Sequence, residues 1–281
     1  MTRLGFYEYA SPVRVVSGMQ ALDRLPELLA QLGAARPLVV TDKGVRAAGL
    51  VDLLTGVLGD RVAVGGVADE VPPDSSVAAV REVARQYREA GCDAILAVGG
   101  GSVLDTSKGV NILVTEGSDD LMAFSGAGAL KRRLKPLIAV PTTSGTGSET
   151  TLVAVIKDAA RQVKMTFVSH YLIPDAAVLD PRMTRTLPPH ITPAPALGAL
   201  TPAMEAYTCL AKNPQSDAAA LAAVALIARH LPQVMANPGD ARGRLALANA
   251  ATLAGMAFSN SMCGMVHNLG HAVGAVCGVP H

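Results

Sequence analysis

The 281-residue chain carries 24 lysines and arginines against 23 aspartates and glutamates, with half of its residues apolar and 17% charged. A net charge of +1 with no basic tract argues against nucleic acid as a partner. The four cysteines, Cys92, Cys209, Cys263 and Cys277, stand singly, which argues against a zinc ribbon or disulfide framework and points to a reducing cytoplasm.

The first nine residues lack the apolar run of a signal peptide. Residues 13–16 read as a strand and 21–32 as an amphipathic helix. Residues 37–42 form a second strand that ends on Asp42, and a helix follows from Lys43 through Leu58. An acid closing an early strand of an α/β unit is where a ribose hydroxyl is often held, and it is equally an ordinary helix N-cap. A short strand is expected at 62–64 and a long amphipathic helix over 77–90.

Residues 94–99 are a continuous apolar run of the kind a buried parallel strand shows, and the run breaks on Gly99, Gly100 and Gly101. Helical spacing resumes at Val103, Leu104, Ser107 and Val110, so the stretch predicts strand, tight turn and helix. Glycines let the backbone approach a ligand, and free N–H groups in the first helical turn suit a phosphate. Ser102 is expected to cap that helix or to give its hydroxyl to the phosphate. Asp105 and Lys108 follow one turn on, where a carboxylate meets a ribose or a nicotinamide ring. The alternative is a plain strand–helix turn, although three consecutive glycines exceed what a turn needs.

Residues 136–141 form another buried strand, leading into Thr142-Thr143-Ser144-Gly145-Thr146-Gly147-Ser148, five hydroxyls around two glycines. Neither glycine motif is a G-x-G-x-x-G or a P-loop, and the absence of G-x-S-x-G excludes a catalytic-serine elbow. Residues 153–158 and 162–168 predict a hairpin with Lys164 directed toward the cleft, and 176–180 close the sheet. Strands alternating with helices indicate a doubly wound, Rossmann-like parallel sheet over residues 1–185. Residues 186–281 read as an all-helical domain, with Ser216-Asp217 capping a helix to His230 and another helix over 241–258. No Asp, Glu, Lys or Arg occurs from residue 245 to 281. Asn249, Asn260, His267 and Asn268 interrupt that stretch, so it is read as buried helices with no membrane partner.

The order of these motifs resembles that of the iron-containing (group III) alcohol dehydrogenases, a family similar in architecture to dehydroquinate synthases and glycerol dehydrogenases. The matching pieces are Thr41-Asp42-Lys43-Gly44, the glycine run with Ser102, Asp105 and Lys108, and Pro141 through Glu149. They continue with Val178-Leu179-Asp180-Pro181, Leu187-Pro188-Pro189, Met204-Glu205-Ala206-Tyr207, Ser216-Asp217, Ala257 to Asn260, and Gly264 through His281. The resemblance implies an NAD(P)-binding domain, a helical metal and substrate domain, and hydride transfer between an alcohol and its aldehyde or ketone. It assigns Asp42 to the adenosine ribose, favouring NAD, and Gly100, Gly101 and Ser102 to the pyrophosphate. Thr142, Thr143, Thr146, Val155, Lys164 and Leu179 would line the rest of the cofactor. His271 falls near the nicotinamide as an acid/base group. A homodimer or higher homo-oligomer is a family expectation, and the substrate lining (Met204, Phe258, Met262, Met265) suits a small, fairly apolar alcohol or aldehyde.

The chain departs from the family at the metal. The usual Asp and His, four residues apart on one helix face, fall on Gly198 and Pro202, which cannot ligate; the two later histidine ligands match at His267 and His281. Fe2+ or Zn2+ would then be held weakly, by two imidazoles. Family members also continue past the position of His281, so the helical domain is expected to be incomplete, as a fragment or a truncated homologue. Besides the alcohol dehydrogenase, two alternatives stand. One is a metal-independent reductase resembling maleylacetate reductases, with His271 supplying the proton. The other is an inactive homologue that binds nucleotide or assembles with a complete paralogue.

Overall fold

A computed structural model of the chain describes residues 5–267 together with 269, 270 and 273. In chain order the regular elements are β1 (Arg14–Ser17), α1 (Leu25–Gln31), β2 (Pro37–Val40), α2 (Lys43–Ala47), α3 (Leu50–Leu58), β3 (Gly66–Ala68), α4 (Val77–Glu89), β4 (Ala94–Gly99) and α5 (Gly101–Glu116). There follow β5 (Gly126–Ala127), β6 (Leu137–Pro141), β7 (Val153–Asp158), β8 (Val163–Val168), β9 (Ala176–Leu179), α6 (Pro193–Thr208), α7 (Pro214–Ala236) and α8 (Ala241–Ser261).

Six strands pair in the order β1-β9-β6-β4-β2-β3, all in parallel. Successive side chains of a strand leave the sheet on opposite faces. Ile95 and Ala97 therefore enter the core that α4 and α5 cover, with Val80, Val83 and Ile112. Ala94, Leu96 and Val98 enter the core on the other face, with Leu25, Leu28 and Leu54. Burial on both faces is why β2, β4 and β6 are apolar throughout. The antiparallel β7–β8 hairpin pairs Val153 with Val168 and lies beside α5, its Ile156 in the α4–α5 core.

The helical half is built from α6, α7 and α8, meeting through Ala199, Ala203, Ala223, Ala250, Ala251 and Ala254. Small side chains let these helices approach closely, which suits an alanine-rich sequence. Helix α7 is the one described helix long and apolar enough to cross a membrane by length and composition. In the fold it packs against α6 and α8, contributing Ala223, Ile227 and Val234 to their shared core.

Six local expectations are corrected. The helix expected from residue 21 opens as a 3-10 turn at Ala21–Arg24, because Pro26 has no N–H to return to that turn. The helix expected over 43–58 is broken at Gly49, whose φ of 74° only glycine adopts readily. The strand expected at 62–64 lies at Gly66–Ala68, in register with Leu38–Val40. Asn213, and not Ser216, caps α7; Ser216 closes a capping box back to the Asn213 N–H. Helix α7 then runs past Pro232 to Ala236, and α8 continues to Ser261.

Candidate functional site

The chain passes from β2 outward to β3, then returns across β2 to β4, so the strand order reverses between β2 and β4. Ligands of open α/β sheets bind outside the carboxyl ends of strands at such a reversal. Asp42 stands just beyond β2, Gly100 and Gly101 just beyond β4, and Thr142 just beyond β6, where its N–H donates to the Gly99 carbonyl (3.1 Å). The expected glycine and threonine stretches thus meet at one sheet edge.

The glycine backbone lies against the threonine side chains. A β-carbon on Gly100 would stand 3.2 Å from Thr143 Oγ1, and one on Gly101 would stand 2.6 Å from Thr146 Cγ2. Gly100 is the N-cap of α5, and no side chain caps that end. Its first-turn N–H groups and the threonine hydroxyls suit an anion, by helix dipole and hydrogen bonding. Ser102 does not cap α5. Its Oγ accepts from the Asp74 N–H (3.1 Å), and Asp74 in turn pairs with Lys164 Nζ (3.2 Å). Lys164 is thereby tied beside the glycine turn. Asp42 Oδ1 accepts from the Val45 N–H (2.9 Å), so the residue does cap α2; its second oxygen is not engaged by that cap.

Below the cradle lie three charged groups. Asp105 accepts from Ser148 Oγ (2.7 Å) and from the Val155 N–H (2.9 Å), tying α5 to the threonine loop and to β7. Glu149 accepts from Thr252 Oγ1 (2.7 Å) on α8. Lys108 directs its ammonium to the Thr151 carbonyl, Thr151 Oγ1 and the Val153 carbonyl, at 2.8–2.9 Å. Its three donors are consumed inside the fold, so Lys108 is a strut and not a cleft residue. Desolvation pushes its pKa down to about 8, opposed by Asp105 and Glu149. Burial raises both carboxyls, and Lys108 opposes that rise.

The cradle is fastened to the helical half by backbone contact. Gly145 packs on Pro195 of α6, and Gly147 on Ala251 and Gly255 of α8. Thr150 Oγ1 reaches the Thr252 carbonyl at 3.1 Å. Leu179, at the end of β9, is 1% exposed, and its carbonyl accepts from the Gly18 N–H; its side chain belongs to the interior.

On α6, Gly198 is exposed, and a β-carbon there would meet nothing within 4 Å; Pro202, one turn on, is buried in the helix. Neither offers a donor atom, so the usual ligand set does not fit this chain. Further along the helix is Glu205, which the family's ligand pattern does not mark. Its Oε1 accepts from the N–H groups of Val266 (2.9 Å) and His267 (3.2 Å), and its Oε2 pairs with His267 Nδ1. Cys263 lies against the same carboxylate. Burial, with Glu205 and Cys209 nearby, pushes its thiol up to about 12. The four-residue spacing of Cys263 and His267 was the available signal, hidden by the comparison with a ligand pattern that lacks the cysteine. His271 and His281 lie outside the described residues.

Residues 12–181 match the iron-containing alcohol dehydrogenase family, and residues 193–281 match the C-terminal part of the same family. The chain is 37% identical over 277 residues to the 1,3-propanediol dehydrogenase of Citrobacter freundii, covering 98% of this chain and 71% of that protein. It is 34% identical to the NAD-dependent methanol dehydrogenase of Bacillus methanolicus, covering 96% and 71%. Among solved structures, a 1,3-propanediol oxidoreductase superimposes with a TM-score of 0.94 at 37% identity, covering 98% of this chain and 72% of that one.

Proposed function

This chain belongs to the iron-containing alcohol dehydrogenase family, and from that premise we propose that it moves hydride between a small alcohol and NAD. The observation that carries the cofactor reading is the cradle itself. Two glycines at which a β-carbon would crowd Thr143 and Thr146 stand at the uncapped start of α5, where the strand order reverses. The pyrophosphate is assigned to Gly100, Gly101 and Ser102, with Thr142, Thr143 and Thr146 opposite. Asp42 is assigned to the adenosine ribose; its carboxylate would repel a 2′-phosphate, which favours NAD over NADP.

Bound NAD supplies the chemistry by accepting hydride at the nicotinamide ring. The chain's own part is to hold that ring and exclude water. Asp105 orients Val155 and Ser148 under the ring-binding end, and Lys164, restrained by Asp74, stands at the rim. His271 is assigned the proton exchanged with the alcohol oxygen. The domain division near residue 185 separates this cofactor half from the helices that would line the alcohol. Cysteines that stand singly in the sequence, with Cys92, Cys209 and Cys263 free among the described residues, support a cytoplasmic setting, and β1 at a sheet edge supports a homodimer through the N-terminal region.

The test is NADH and NADPH binding by nucleotide fluorescence, followed by NADH oxidation with short-chain aldehydes. NADH is expected to bind tighter than NADPH, and Asp42→Gly to lose that preference. Equal binding of both nucleotides to the unmodified chain would overturn the assignment of Asp42.

A further inference from the structure

Three side chains of different donor chemistry meet where α6 passes the turn that follows α8. One donor atom each from Glu205, Cys263 and His267 lies within 4.8 Å of the other two. We propose that these three residues form a metal site of this chain's own, for zinc or ferrous iron, displaced along α6 from the ligand positions lost at Gly198 and Pro202. The inference deepens the reading above by giving the helical half a donor set, and its test reads metal uptake, so it can fail while nucleotide binding stands.

The spacing is close to what an ion needs. Oxygen, nitrogen and sulfur ligands at about 2.0–2.3 Å from a tetrahedral ion stand roughly 3.5 Å apart, so shifts of about an ångström complete the set. The carboxylate is already fixed. Glu205 Oε1 is held by the backbone N–H groups of Val266 and His267, and Gly264 passes so close that a β-carbon there would lie 2.9 Å from that oxygen. The turn that presents the thiol is equally specific: Met262, just before Cys263, has a φ of 66°, which a non-glycine residue adopts only where its surroundings impose it.

The donor types select the ion. A thiolate, an imidazole and a carboxylate suit zinc or iron and not the hard cations magnesium and calcium, which take oxygen. A thiolate and a carboxylate together neutralise a divalent ion, so the filled site carries no net charge into a half-buried position. Binding releases the thiol proton to water. Three donors among the described residues supply three of the four positions of a tetrahedral ion, and the fourth is for a further ligand.

Cobalt(II) and zinc titrations of the purified 281-residue chain test the site. About one cobalt per chain is expected, with an ultraviolet thiolate-to-cobalt band that zinc abolishes. Zinc should also slow alkylation of Cys263 in the unaltered chain, read by peptide mapping. Cys263→Ser should erase the band and weaken binding at least tenfold. Glu205→Gln, which keeps a carbonyl acceptor for Val266 and His267, should weaken it comparably while NADH binding is unchanged. Cobalt bound without a thiolate band, undiminished affinity in Cys263→Ser, or no metal uptake would each overturn the proposal.

Discussion

Gly101 and Thr146 stand face to face across the cradle, with room between them for backbone alone: a β-carbon at 101 would lie 2.6 Å from Thr146 Cγ2. Gly101→Ala must therefore displace the Thr146 side chain from the start of α5. NADH affinity is expected to fall at least tenfold, measured by fluorescence titration. Because Thr146 is exposed and can yield, the thermal midpoint should change little.

The contact between Gly147 and Gly255 is less forgiving. A methyl group at 255 would stand 2.5 Å from the Gly147 carbonyl oxygen and from Thr150 Oγ1. Gly255→Ala should cost about 2 kcal/mol, since overpacking against backbone cannot be relieved by a side-chain rotation. Gly56→Ala is the matched comparison: it lies inside α3 with nothing within 4 Å of its added carbon. It should stabilise by about 0.5–1 kcal/mol, read in the same urea titrations.

Lys108 makes stability depend on pH in the alkaline range. Its folded pKa of about 8 lies below the ordinary 10.5. Between those values the unfolded chain still holds a proton that the folded chain has released, so this lysine makes stability rise with pH, at most about 1.4 kcal/mol per unit. Asp105 and Glu149, both raised by burial, act oppositely: between their ordinary and folded pKa values the folded chain keeps a proton that the unfolded chain has released, so these carboxyls make stability fall as pH rises. Lys108→Met should remove the alkaline gain and cost about 2 kcal/mol, since the buried Thr151 and Val153 carbonyls lose their ammonium donor. Urea unfolding of both proteins at pH 7 and 9.5 separates the effects; an identical slope in the variant would contradict the assignment.

Pro202 lies inside α6, where it has no N–H to donate to the Gly198 carbonyl and where a proline ring generally crowds the preceding turn. Pro202→Ala is expected to stabilise the chain by about 1 kcal/mol, the regained helical bond outweighing lost ring packing. Placing Asp at 198 and His at 202 together should raise ferrous iron affinity above that of the unaltered chain, measured by equilibrium dialysis.

The sheet was legible because β2, β4 and β6 are buried on both faces, which writes a continuous apolar run for each strand. The hairpin was legible from its two runs around residues 158–161. Boundaries set by single residues were harder. Gly49 ends α2 through a backbone angle that no periodicity encodes, and β3 is chosen by its register with β2, a contact distant in sequence. In the site, the glycine and threonine stretches announced themselves by composition. The grouping of Asp105 with the buried Lys108 and Glu149 did not, because it depends on how α5 meets the threonine loop. Glu205 was hidden for a similar reason: its partners, Cys263 and His267, lie about sixty residues later in the chain.

The fastening of the threonine loop to α8 ties two equilibria together. Glu149 and Thr150 both bond Thr252, and Gly147 rests directly on Gly255. Loosening of α8 must then disturb the loop assigned to the nucleotide, and a nucleotide that favours the ordered loop must, by mass action, resist that loosening. A ligand present at a hundred times its dissociation constant adds about 2.7 kcal/mol to the state it binds. Amide hydrogens along α8, remote from the phosphates, should accordingly exchange more slowly when NADH is present, making the helical half a reporter of occupancy in the other.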